Sequence, residues 1–223
     1  MERMAQTLTV QDVRDAVLAM VADSEEGDDL DVVTAVLIGL AVRASPTTLD
    51  GAGTREYTAK ALDVGATADQ IAGTVVLVSA LGVHGLYEGA RHVAEVMGAR
   101  GDAQITAPLD DEQRALFERH ASDPALRERM EMAAPGFLES LLRLSPIAFA
   151  GYFSYRAVPW SMPGLSTLQK ELVSLAVDAM PSHRYLPTLK MHVASALALG
   201  AGRRAIEQTL DIAAAAPDHL GVP

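Results

Sequence analysis

Apolar residues recur along this chain at three- and four-residue spacings, and no segment alternates convincingly with period two. Val13, Ala16, Val17 and Met20 mark one face of a first helix, which Thr9 is placed to cap. An acidic stretch over 23–29 reads as a solvated connection, followed by an apolar helix to about Ala44. Ser45-Pro46 ends that helix, because the residue before a proline is pushed out of the α region. A polar turn over 50–53 leads into a helix that closes at Gly65, where glycine accepts the left-handed cap conformation. Thr67 with Gln70, and later Ser166 with Gln169, have the spacing of capping boxes that open long helices. Residues 101–108, mostly small or polar and ended by a proline, are the best linker candidate. Charged helices are expected near 110–120 and 124–133, then apolar helical segments over 135–160, interrupted at Pro146 and Pro159. The pattern predicts an all-α protein.

The pattern also occurs twice. Shifted by 135 positions, residues 37–84 align without a gap on residues 172–219, and 15 of those 48 positions are identical. The matches include Leu40-Ala41-Val42 with Leu175-Ala176-Val177, Pro46 with Pro181, Ala61-Leu62 with Ala196-Leu197, and Gly65-Ala66 with Gly200-Ala201. Chance matches in an Ala-rich chain would not preserve turn glycines and prolines in register. The expected organisation is a first module over 1–100, a linker with a charged helix over 101–123, and a second module over 124–223.

Composition narrows the function. Apolar residues make up 49% of the chain and aromatic ones only 4%, so the core must be Ala, Leu, Val and Met on closely packed helices. A net charge of -11 repels phosphate backbones and anionic membranes, so neither nucleic acid nor a membrane surface is expected as a partner. With no cysteine, disulfides, thiolate catalysis and Cys-ligated zinc are excluded. The first ten residues lack a basic-then-apolar signal pattern, and the apolar runs 32–42 and 71–83 fall short of the roughly 20 residues of a membrane helix. A cytoplasmic protein is expected.

Glu171 followed by Leu172-Val173-Ser174-Leu175-Ala176-Val177, then His192-Val193, then Ala196-Leu197-Ala198-Leu199-Gly200-Ala201, resembles the carboxymuconolactone decarboxylase family, which includes the alkylhydroperoxidase-D-like proteins. The first copy shows the same skeleton in Leu62-Asp63-Val64-Gly65-Ala66 and Asp69-Gln70-Ile71. The resemblance implies a tandem of two multi-helix modules that assembles further, as a homodimer or homotrimer. It also implies that Glu171 orients His192 as a general acid or base, with His183 and Tyr185 on the intervening turn able to stabilise an enolate oxygen. The peroxidase branch needs a Cys-x-x-Cys pair. Counting from Glu171, its slots fall on His183 and Leu186; counting back from His192, on Tyr185 and Thr188. Neither count supplies sulfur, so thiol peroxidase activity is excluded. In the first copy the positions of Glu171, His183, Tyr185 and His192 hold Val36, Thr48, Asp50 and Tyr57, which points to the second copy as the reactive half.

A second group, His84, Glu88 and His92, recurs every four residues. Its ends lie about 12 Å apart along a helix, too far for one ion, and no metal motif is present, so no metal is expected. The resemblance makes His84 and Tyr87 lining residues of the substrate cavity. Trp160, the only tryptophan, is a candidate for the pocket mouth, and Arg156 for pairing with a substrate carboxylate; a packing anchor and a surface arginine are the plainer readings. These readings combine into a cofactor-free lyase or isomerase acting on a small carboxylated lactone or related carbonyl compound. The alternative is a non-catalytic small-molecule-binding or assembly protein on the same scaffold.

Overall fold

The computed structural model describes residues 7–222. In order they form α1 (Val10–Val21), α2 (Val32–Ala44), α3 (Gly51–Asp63), α4 (Ala68–Ser79), α5 (Val83–Ala99), α6 (Ala103–Thr106), α7 (Asp111–Ala121), α8 (Pro124–Ala133), α9 (Phe137–Leu144), α10 (Pro146–Ser161), α11 (Thr167–Ala179), α12 (Leu186–Ala198) and α13 (Arg203–Ala214). No strand occurs among the described residues. Local chemistry explains most boundaries. Thr9, Thr67, Asp110 and Ser166 each close a capping box, satisfying two backbone N–H groups that the first helical turn leaves without partners. Pro146 stands at the start of α10, where its missing N–H costs nothing.

Two compact units are present: residues 1–81 with 159–223, and residues 82–158. This division differs from the expected modules 1–100 and 124–223, because both copies of the repeat fall in the first unit. There α2, α3 and α4 start at 32, 51 and 68, and α11, α12 and α13 start at 167, 186 and 203, each 135 residues later. The turns repeat as well. Gly65 and Gly200 take φ of 88° and 91°, and Leu49 and Arg184 take the left-handed values 44° and 51°. The Asp50 N–H donates to the Arg43 carbonyl and the Tyr185 N–H to the Asp178 carbonyl, both at 2.9 Å.

Two side-chain contacts join equivalent positions of the copies. Gln169 Nε2 donates to Thr34 Oγ1 and Ser182 Oγ to Thr47 Oγ1, each at 2.9 Å and each across 135 residues. One contact lies at the helix starts and the other in the turns after the helix ends, so α2 and α11 run side by side in the same direction. α2 also packs on α13 and α11 on α4, the exchange of partners that a local two-fold axis between the copies produces. Leu37, Ile38, Ala41, Leu172, Leu175, Ala176 and Met180 are buried there in one core. Small side chains permit the close approach that the low aromatic content demanded.

The second unit gathers the chain's four phenylalanines. Phe137, Tyr87 and Tyr152 meet edge-on with ring centroids 4.6–5.9 Å apart, and Phe149 and Phe153 extend the cluster toward Phe117. Three expectations need correction here. Residues 101–108 are no free linker: they contain α6, Gln104 donates to the carbonyls of Arg143 and Leu144, and Arg143 donates to the carbonyl of Ala107. Pro159 does not interrupt α10, which runs through it and ends two residues later. The apolar run ending at Val83 is also longer than expected: with a 3-10 turn at Ala80–Gly82, residues Ala68–Ala99 form one helical stretch long and apolar enough to cross a membrane by length and composition.

Candidate active site

On α11, Glu171 and Asp178 stand seven residues apart, two turns along one helix face. On α12, Thr188 and His192 stand four apart and face them. The His192 Nδ1 lies 2.6 Å from Glu171 Oε2, with both side chains largely buried. A carboxylate on one imidazole nitrogen fixes the ring and leaves the other to act, as an acid–base histidine requires. That other nitrogen, Nε2, points toward Asp178 Oδ2 at 3.9 Å. Thr188 Oγ1 donates to the same oxygen at 2.5 Å, and Asp178 Oδ1 lies 3.8 Å from His183 Nε2.

Asp178 is 1% exposed, and burial pushes its carboxyl up to about 7, against the opposing pull of His192 and the Thr188 hydroxyl. Burial moves His183 the other way, down to about 4, so its imidazole is neutral at neutral pH. The turn that carries His183 is held by backbone bonds from His183 and Arg184 to the Met180 carbonyl, with Arg184 in the left-handed region and its guanidinium on the Leu8 carbonyl. The same turn sets Tyr185 beside His183, with ring centroids 5.8 Å apart. Trp160, at the end of α10, lies nearly parallel to His192, with centroids 6.1 Å apart and planes 17° apart.

The first unit therefore brings together Glu171, His183, Tyr185, His192 and Trp160 from the sequence candidates. His84, Tyr87 and Arg156 belong to the second unit. Tyr87 is buried, its hydroxyl 2.9 Å from that of Tyr152, with His84 beside its ring; Arg156 sits 5.9 Å from the Tyr152 ring centroid. This places Tyr87 in an aromatic core. Sequence reading missed Asp178, Thr188 and Lys170. A signal for Asp178 was available: it is the one charged residue in the apolar run from Leu172 to Met180, seven after Glu171.

In the first copy the equivalent ground is filled. Arg43 replaces Asp178 and lies 3.7 Å from the centroid of Tyr57, which replaces His192, and Lys60 approaches the same ring at 4.5 Å. Gly39 makes room for that ring, since a Cβ there would stand 2.1 Å from Tyr57. A separate groove of about 450 Å³ in the first unit, lined by Asp28, Asp29, Asp31, Gln169 and Gly202 among others, shares no residue with the acid–base cluster.

Residues 146–218, which hold every member of that cluster, match the Carboxymuconolactone decarboxylase family. The chain is also similar to a crystal structure described as a candidate gamma-carboxymuconolactone decarboxylase subunit from Burkholderia xenovorans: 29% identity, TM-score 0.67, covering 93% of this chain and 84% of that one. The family match covers less than half of the chain. No curated protein matches it. The family match spans α10 to α13, hence the second copy and not the first.

Proposed function

We infer that the second copy is an acid–base centre for a cofactor-free decarboxylation or isomerisation of a small carbonyl compound, a carboxylated lactone being the first substrate to try. The observation that carries this is the Glu171–His192 pair at 2.6 Å, with the second imidazole nitrogen turned toward a buried carboxyl. The family match over residues 146–218 and the name of the similar structure point to the same chemistry. In the proposed step the bond from the ring carbon to the carboxylate breaks, CO2 leaves, and the electron pair passes into the neighbouring carbonyl as an enolate. The imidazolium of His192 gives its Nε2 proton to carbon and regains one from solvent. Glu171 holds Nδ1 throughout and stabilises the charged ring. His183, neutral because it is buried, or the Tyr185 hydroxyl would donate to the enolate oxygen.

The test is CO2 release from gamma-carboxymuconolactone and a panel of related carboxylated lactones. His192→Gln is expected to lower turnover by roughly 100- to 10,000-fold, the range for loss of a general acid, with Glu171→Gln falling in the same range. Unchanged turnover in His192→Gln overturns the mechanism. Saturable binding of the lactones with no turnover at any pH favours the non-catalytic binding reading.

A further inference from the structure

Lys170 is buried at 7% exposure, beside Glu171 in sequence, and among the described residues its ammonium meets no carboxylate. It donates instead to two backbone carbonyls, Trp160 at 2.6 Å and Met162 at 2.9 Å, on the segment that joins α10 to α11. A buried ammonium group is costly unless its donors are met, so these carbonyls are tied to α11 with little freedom. The same segment is pinned from a second direction. Gly164, at φ 94°, lies so close to α4 that a Cβ there would stand 2.5 Å from the Asp69 carbonyl carbon, and the Pro163 carbonyl packs against Gly73. What this segment carries is Trp160, whose ring lies along the face of His192. Among the described residues the groups recorded at His192 are Glu171 on Nδ1, Asp178 toward Nε2 and Trp160 on the ring face.

We propose that Lys170 and Trp160 form a positioning clamp: Lys170 holds the tryptophan flat against His192, so that the imidazole keeps Nδ1 on Glu171 and Nε2 toward Asp178. Lys170 touches no reacting atom; it acts through Trp160. The clamp deepens the reading of His192 as proton donor and rests on it. Its test, however, needs no substrate.

Trp160 is the only tryptophan of the chain, so its fluorescence is read without interference from another indole. Protonated imidazole quenches a stacked indole more strongly than neutral imidazole does. The full-length protein is expected to show a pH-dependent step in emission that disappears in His192→Gln. Lys170→Met should reduce the step by at least half while far-UV circular dichroism stays unchanged, and Lys170→Arg should restore it. If Lys170→Met does not fold, Lys170→Gln, polar but too short to hold both carbonyls, is read in the same way. A step that persists in His192→Gln, or one that is unchanged in the folded Lys170 variant, overturns the clamp. Loss of the step in Lys170→Met with full turnover in His192→Gln would keep the clamp and discard the catalytic reading, so the two failures are distinguishable.

Discussion

Asp178 and His183 face each other with opposite responses to the same burial. In the unfolded chain Asp178 ionises near its ordinary value of 3.8, and in the folded chain near 7. Between those values the folded state keeps a proton that the unfolded state has lost, so raising the pH across that window lowers stability. His183 falls from 6.5 to about 4, so across its window the unfolded state binds a proton that the folded state refuses, and raising the pH raises stability. Folding thus converts a separated charge pair into a neutral pair with the same number of protons. The two slopes nearly cancel between about pH 4 and 6.5. Asp178→Asn should unmask the rising slope and His183→Gln the falling one, each approaching about 1.4 kcal/mol per pH unit at most. Thermal melts of the two variants from pH 4.5 to 6.5 check this; parallel curves would show that burial does not set these protons.

At the scale of the helices, capping chemistry and turn glycines were readable because they act over three or four residues. The capping boxes at Thr67 and Ser166 and the left-handed Gly65 are of this kind. The misreadings at Pro159 and at residues 101–108 have a common cause, since a proline or a small polar stretch is judged by its own composition while its neighbours decide the outcome. Pro159 lies close enough to the end of α10 that only the last turn bears the lost hydrogen bond. Residues 101–108 are tied by side-chain bonds to the far end of α9, about 40 residues on. The Glu171–His192 contact was legible through the resemblance, whereas Asp178 looked like one acid among many until burial marked it. Packing between helices also makes a sharp prediction at Gly39. Gly39→Ala drives a Cβ into Tyr57, and overpacking of this kind costs about 1–3 kcal/mol, only partly offset by alanine's helix preference of about 1 kcal/mol. A lower Tm by differential scanning calorimetry is expected, and recovery in Gly39→Ala with Tyr57→Leu would locate the clash.

For the whole molecule, the 135-residue spacing was plain in the sequence, but the way the copies share space was not. An offset says which residues correspond and nothing about whether they meet. The structure puts both copies in one unit, with residues 82–158 as the other. Gln169→Ala removes both the bond to Thr34 and one arm of the Ser166 capping box, so a loss of about 1–2 kcal/mol is expected in urea unfolding. Thr34→Ala removes the same bond together with the Thr34 hydroxyl's bond to Asp31, so a comparable loss is expected.

The local two-fold axis has a consequence for how the sequence is free to vary. If the two copies were identical chains meeting on such an axis, each residue beside it would face its own twin, and a substitution there would always count double. A glutamine could then meet only a glutamine, and a threonine only a threonine. Joining the copies in one polypeptide lifts that rule: Gln169 faces Thr34, long against short and donor against acceptor. The same freedom lets one copy hold Glu171, Asp178 and His192 while its counterpart fills the space with Val36, Arg43 and Tyr57. Buried titratable groups and space-filling side chains, which a symmetrical pair would have to carry at every equivalent position, are here assigned to different halves of a single chain.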